Sequence, residues 1–162
     1  MLRSSWYRRF WQWPYFLTML FSTSVLAQSW PDVLVLSHDG EDRTLPIETL
    51  REQADETFSF YDPYLGRDVD IRGLPLGEWA RASFGDRPER LTLEAVDGFE
   101  VVFDEWPGPS WVLVTHHDGE PIGLREKGPL RLVERDYGDR DLDNLRSFNE
   151  WIWMIERIEA AP

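Results

Sequence analysis

Four stretches of this sequence carry residue types that could do chemistry. Asp62-Pro-Tyr-Leu-Gly-Arg67 reads as a tight turn that presents Tyr61, Asp62, Tyr64 and Arg67 together. Tyrosine rings there could stack a ligand while the carboxylate and the guanidinium fix its polar groups. The plainer expectation is a turn in which Asp62 caps backbone amides. His116-His117-Asp118 places two imidazoles side by side. Neighbouring side chains on a strand point to opposite faces, so both cannot hold one metal unless His38 or Asp118 completes a site. One exposed and one packed imidazole is the simpler expectation, with His116 kept as a ligand-binding candidate. The run Asp139-Arg-Asp-Leu-Asp-Asn-Leu-Arg-Ser-Phe-Asn-Glu150 nearly fits a calcium loop, with Asp139, Asp141, Asp143 and Glu150 as its carboxylates. It departs from that loop at Asn144, where glycine is required, and at Arg146, where an apolar residue is usual. Trp106, flanked by Pro107-Gly-Pro109, is the tryptophan best placed to be an exposed anchor, whereas Trp79 and Trp111 read as core.

The elements that must position these residues are marked by glycine, proline and hydrophobic period. Val33 to Ser37 reads as a strand ended by His38-Asp-Gly40, and Pro46 to Gln53 as a short helix. Thr57 to Tyr61 alternates polar and aromatic residues, and Arg67 to Arg72 returns beyond the turn. Leu74 to Phe84 is a clearer helix: Leu76, Trp79, Ala80 and Phe84 share one face, Pro75 suits its first turn and Gly85 its end. Strands then dominate. Leu91 to Val96 and Phe99 to Phe103 flank Asp97-Gly98, Trp111 to Thr115 runs into His117-Asp-Gly119, and Pro129 to Glu134 and Ile152 to Ile158 follow. Strands in runs with one or two interspersed helices predict an α+β fold.

Composition limits the function. The 162 residues hold 17 Lys and Arg against 30 Asp and Glu, a formal charge of −13. Such a chain does not suit nucleic acid, whose phosphates call for clustered cations. The chain has no cysteine, which removes disulfides, thiolate catalysis and Cys-type metal sites. Stability must then come from packing, and nine Trp, nine Phe and five Tyr supply large apolar areas. The first 27 residues read as a secretory signal: Arg3, Arg8 and Arg9, an apolar run from Tyr15, and Val25 and Ala27 before the cut. That run is shorter than the about 20 apolar residues a spanning helix needs. The expectation is one module over residues 28–162, periplasmic or secreted, with no membrane span after cleavage.

The order of several motifs resembles a known family. Gly73-Leu-Pro-Leu76, Glu94-Ala-Val-Asp-Gly-Phe99, Asp118-Gly-Glu-Pro121, Gly128-Pro-Leu-Arg-Leu-Val133 and Trp151-Ile-Trp153 follow one another as in the oxidoreductase molybdopterin-binding domain of the sulfite oxidase family. The likeness is to its small, secreted, single-domain members and covers most of residues 33–158. It implies layered, mostly antiparallel sheets with one or two short helices. It also implies that the enzymes' molybdenum-binding cysteine would fall between Phe58 and Arg72, where Ser59, Tyr61 and Asp62 stand instead. A serine hydroxyl does not replace a soft thiolate. Arg67, Arg72, Arg125, Lys127 and Arg131 are the sparse cations that could hold a pterin phosphate.

The resulting expectation is a non-catalytic accessory or sensory module. Its binding candidates are Tyr61, Asp62, Tyr64, Arg67, Trp106, His116 and Arg131. Its partner would be a small molecule or a periplasmic or membrane protein, and no cofactor is expected. One alternative is a molybdopterin-dependent oxidoreductase that keeps its cofactor without a cysteine, which requires a buried basic pocket around Arg67, Arg125 and Arg131. Another is an extracellular calcium-binding protein built on residues 139–150.

Overall fold

The computed structural model describes residues 32–85 and 88–161. The expected signal segment, residues 1–27, and Trp30 lie outside the described residues. Among the described residues no helix is long and apolar enough to cross a membrane.

Two five-stranded sheets and two helices share one hydrophobic core. The first sheet contains β1 (Val33–His38), β2 (Glu41–Pro46), β5 (Arg90–Ala95), β6 (Glu100–Phe103) and β10 (Ile155–Ala161), in the order β2-β1-β10-β5-β6. All its pairings are antiparallel except β1 with β10, which join the two ends of the described chain in parallel. The second sheet orders β3 (Glu56–Asp62), β4 (Arg67–Pro75), β7 (Trp111–His117) and β8 (Glu120–Pro121), with β9 (Arg131–Glu134) also on β7. The fold is α+β with mostly antiparallel sheets, as the runs of strands indicate.

Alternation decides which side chains enter the core. Leu34 and Leu36 of β1 and Leu91, Leu93 and Ala95 of β5 are buried while their neighbours are more exposed. β7 is buried through Trp111–His116, as a central strand covered on both faces must be. The helices are α1 (Ile47–Gln53) and α2 (Leu76–Phe84). α2 buries Leu76, Trp79, Ala80 and Phe84, the face its sequence marks, and ends at Gly85 with φ of 83°. Gly73 allows β4 to approach β7 closely, because a Cβ there would lie 2.5 Å from the Leu113 carbonyl oxygen.

Three departures from the sequence reading have simple causes. β2, Glu41-Asp-Arg-Thr-Leu-Pro46, is an edge strand exposed along most of its length, so no hydrophobic alternation betrays it. The last strand begins at Ile155, not Ile152, because Met154 takes a positive φ of 53° and breaks the run. The expectation of Trp106 as an exposed anchor is corrected. It is half-buried against the core, its indole Nε1 only 2.9 Å from where a Cβ on Gly77 of α2 would sit, and Arg81 lies over its ring.

Candidate functional site

Three loops at one end of the second sheet build a cleft. The first is the β3–β4 turn. Its backbone closes through Leu65 and Gly66 amides donating to the Asp62 carbonyl, while the Asp62 side chain accepts from the amides of Tyr64 at 2.9 Å and Leu65 at 3.2 Å. The second is the two-residue β7–β8 hairpin. Asp118 and Gly119 both take positive φ there, the geometry that Asp-Gly favours. The third is the loop between β8 and β9, a short 3-10 turn (Leu124–Glu126) that ends at Lys127 in left-handed conformation. Gly128 lets this loop close, since a Cβ there would lie 2.2 Å from the Ile122 carbonyl oxygen. Trp153, just ahead of β10, completes the wall.

The cleft so formed has a volume of about 560 Å³, within the range of small-molecule sites. Tyr64, Leu65, Pro121, Ile122 and Trp153 supply its apolar surface. Its ionic groups are Arg67, Arg125 and Lys127 facing Asp118, Glu120 and Glu126. One of these pairs is internal: Arg67 Nη2 meets Asp118 Oδ2 at 2.8 Å, and the other Asp118 oxygen accepts from the Asp70 amide at 3.1 Å. Those hydrogen bonds, Arg67 foremost, hold the Asp118 carboxyl below the usual carboxylate range, and Asp118 in turn raises Arg67.

Beneath the cleft lies a buried ion pair. Arg131 of β9 and Asp62 are both 0% exposed, and Arg131 Nη1 lies 2.6 Å from Asp62 Oδ2. The guanidinium carbon sits 3.6 Å from the centre of the Trp153 ring and 5.6 Å from that of Trp151. Arg131 Nε and Nη2 have no hydrogen-bond partner among the described residues, so the indole faces are what cover that cation. Burial lowers the Arg131 pKa, and Asp62 opposes that shift. The guanidinium remains charged.

His117 links the pair to the cleft. Its Nε2 lies 3.3 Å from Arg131 Nη1. Burial first, and the Arg131 charge second, push its pKa down to about 4. The ring is therefore neutral near pH 7. With Nε2 accepting from a guanidinium that can only donate, the proton sits on Nδ1. The phenol of Tyr64 donates to the Phe148 carbonyl at 3.0 Å and lies 3.3 Å from that of Leu145, tying the cleft wall to the 145–148 turn.

The structure thus brings together some of the residues singled out in the sequence and not others. Tyr64 and Arg67 line the cleft, and Asp62 and Arg131 form the pair beneath it. Tyr61 points elsewhere on the turn, 37% exposed, with its carbonyl accepting from Tyr137. His116 is not a cleft residue. It is 4% exposed, with the Arg72 guanidinium against its ring and Thr115 Oγ1 at 2.7 Å from its Nδ1. Burial, then Arg72, lowers its pKa. His117 is the imidazole that faces the cleft.

The sequence reading does not single out Trp153 or Glu126 as binding residues and offers Lys127 only as a cation for a pterin phosphate, although the Gly123 to Pro129 stretch is a loop by composition and Trp151-Ile-Trp153 an evident aromatic pair. Residues 139–150 form turns and a short 3-10 helix (Leu145–Phe148). Asn144 has φ of −99°, not the left-handed value a calcium loop takes at that position, and Arg140 pairs with Glu134. Among the described residues no group of three or more His, Asp or Glu is gathered to hold a metal. The buried basic pocket around Arg67, Arg125 and Arg131 is not formed: Arg67 and Arg125 are exposed at the cleft rim, and Arg131 is spent on Asp62.

No family model matches the chain, and no curated protein does. Among solved structures, the crystal structure of the sulfane dehydrogenase SoxCD from Paracoccus pantotrophus is similar, with a TM-score of 0.51 and 14% sequence identity. The likeness covers 80% of this chain and 38% of that chain, so this chain spans well under half of that structure's length. At this identity the likeness shows a shared fold alone.

Proposed function

We propose that this chain is a periplasmic or secreted, non-catalytic module on a scaffold of the sulfite oxidase molybdopterin-binding type, and that its cleft binds a small molecule. The similarity to the SoxCD structure and the order of the five sequence motifs support the scaffold. The observation that carries the non-catalytic reading is the donor set. The cleft offers carboxylates, guanidinium and ammonium groups, one imidazole and aromatic rings, and the chain has no thiol to give. Molybdenum in this scaffold calls for a soft anionic sulfur, and oxygen and nitrogen donors do not replace it. A pterin phosphate is poorly served as well. Arg131 is neutralised by Asp62 and roofed by Trp153, and Arg67 is neutralised by Asp118, which leaves Arg125 and Lys127 in a cleft that also holds the unpaired carboxylates Glu120 and Glu126.

What remains is a recognition site. It has a concave apolar wall, a small number of fixed polar groups and an imidazole locked in one tautomer. The turn, the hairpin and the 3-10 loop that frame it rest on β3, β4 and β7, so the groups are held by the sheet. The test uses the chain purified from its own host. Native mass spectrometry should show a small molecule released on denaturation, and the protein should not turn over sulfite or a sulfoxide. Sustained turnover of either substrate would falsify the proposal.

A further inference from the structure

The ionic groups of the cleft are balanced although the chain carries a formal charge of −13. Arg67 and Asp118 satisfy each other. Arg125, Lys127, Glu120 and Glu126 are left, all exposed, and none of them forms an ion pair with another described residue. Lys127 Nζ lies 4.9 Å from the centre of the Trp153 ring, so one free cation stands beside the aromatic wall. Glu126 precedes it in sequence at the end of the 3-10 turn, and Glu120 on β8 lines the same cleft. His117 adds an N–H donor at Nδ1, because its Nε2 is engaged by Arg131.

Resting on the ligand-binding reading above, we infer that the cleft takes a small zwitterion with an aromatic or bulky apolar body, of the amino-acid class. Its carboxylate would be drawn to Lys127 and Arg125, its ammonium to Glu120 and Glu126, and its body would lie against Trp153, Tyr64 and Leu65. A ligand of one sign does less well. An anion must enter a strongly acidic field and meet two unpaired carboxylates, and a cation must meet an ammonium and a guanidinium. A zwitterion is neutral overall, so the field neither attracts nor repels it at a distance. Inside the cleft it can satisfy both signs at once.

Three probes of nearly one shape separate these cases: L-phenylalanine, 3-phenylpropionate and 2-phenylethylamine, titrated calorimetrically into the full chain at low ionic strength. Phenylalanine is expected to bind at least about tenfold more tightly than either single-charge analogue and to raise the thermal midpoint. Lys127→Gln should abolish the advantage over 2-phenylethylamine, and Glu120→Gln/Glu126→Gln the advantage over 3-phenylpropionate. These side chains are exposed, so the variants should keep the wild-type melting curve without ligand. A single-charge analogue binding as tightly as phenylalanine overturns the inference, as does the absence of heat and of a midpoint shift with all three. Either result leaves the ligand-binding reading standing, whereas stoichiometric molybdenum in the purified chain removes that reading and this inference together.

Discussion

The Asp62–Arg131 pair offers the sharpest energetic test of how this site is built. Both side chains are 0% exposed and their charged atoms lie 2.6 Å apart. Asp62→Ala leaves Arg131 charged in the interior with Nη1 facing an imidazole nitrogen and two indole rings. It also removes the acceptor for the Tyr64 and Leu65 amides. Removing one partner of a buried pair costs about 3–5 kcal/mol, because the survivor keeps its desolvation penalty. That is a large share of the about 5–15 kcal/mol that holds a domain of this size. Arg131→Met should cost less than Asp62→Ala, since Asp62 would still accept two backbone hydrogen bonds. The double variant should cost clearly less than the two singles added together, as it strands no charge. Urea unfolding followed by tryptophan emission reads all three as shifts in midpoint at constant slope. At about 4 °C per kcal/mol, the thermal midpoint of Asp62→Ala should fall by about 12–20 °C. A single variant within about 1 kcal/mol of the parent, or strict additivity in the double, would refute the reasoning.

Other expectations follow from named contacts. His117 has a folded pKa of about 4 against an ordinary 6.5, so the unfolded chain binds its proton first as pH falls. The contribution of His117 is therefore complete above pH 6.5 and is lost as pH drops through 4. We expect a fall of about 1–2 kcal/mol across that window after allowing for solvent screening, and a shallower slope in His117→Gln, measured by urea titrations at several pH values. Gly73→Ala puts a Cβ 2.5 Å from the Leu113 carbonyl oxygen, so it should cost about 1–3 kcal/mol in the same assay; a neutral result would show that β4 and β7 can separate freely. Tyr64→Phe removes one hydroxyl donor to the 145–148 turn and should cost about 0.5–1.5 kcal/mol, with faster amide exchange across that turn as the diagnostic change.

Much of this architecture can be read from punctuation in the sequence. The pairs Asp39-Gly40 and Asp118-Gly119 are tight turns with two positive φ values, and Pro75 and Gly85 bracket α2. These features are local, and local signals survive folding. Long-range features were not legible. The parallel pairing of β1 with β10 joins residues more than a hundred positions apart and leaves no local trace. Nor does the pairing of buried charges: Asp62 and Arg131 read as separate binding candidates until β3 and β9 bring them together, with Arg131 under Trp153. Strand parity chose between the histidines. His116 and His117 face opposite sides of β7, and only the sheet's position decides that the second meets the cleft. Trp106 looked exposed because proline and glycine surround it, yet the small residue it packs on, Gly77, is on another element.

The most direct measurement is the molybdenum content per chain, taken together with pterin fluorescence after acid release, on protein isolated from its own host. A chain whose cleft holds only oxygen and nitrogen donors over a neutralised arginine should carry molybdenum far below one atom per molecule and no pterin. One molybdenum and one pterin per chain would contradict it.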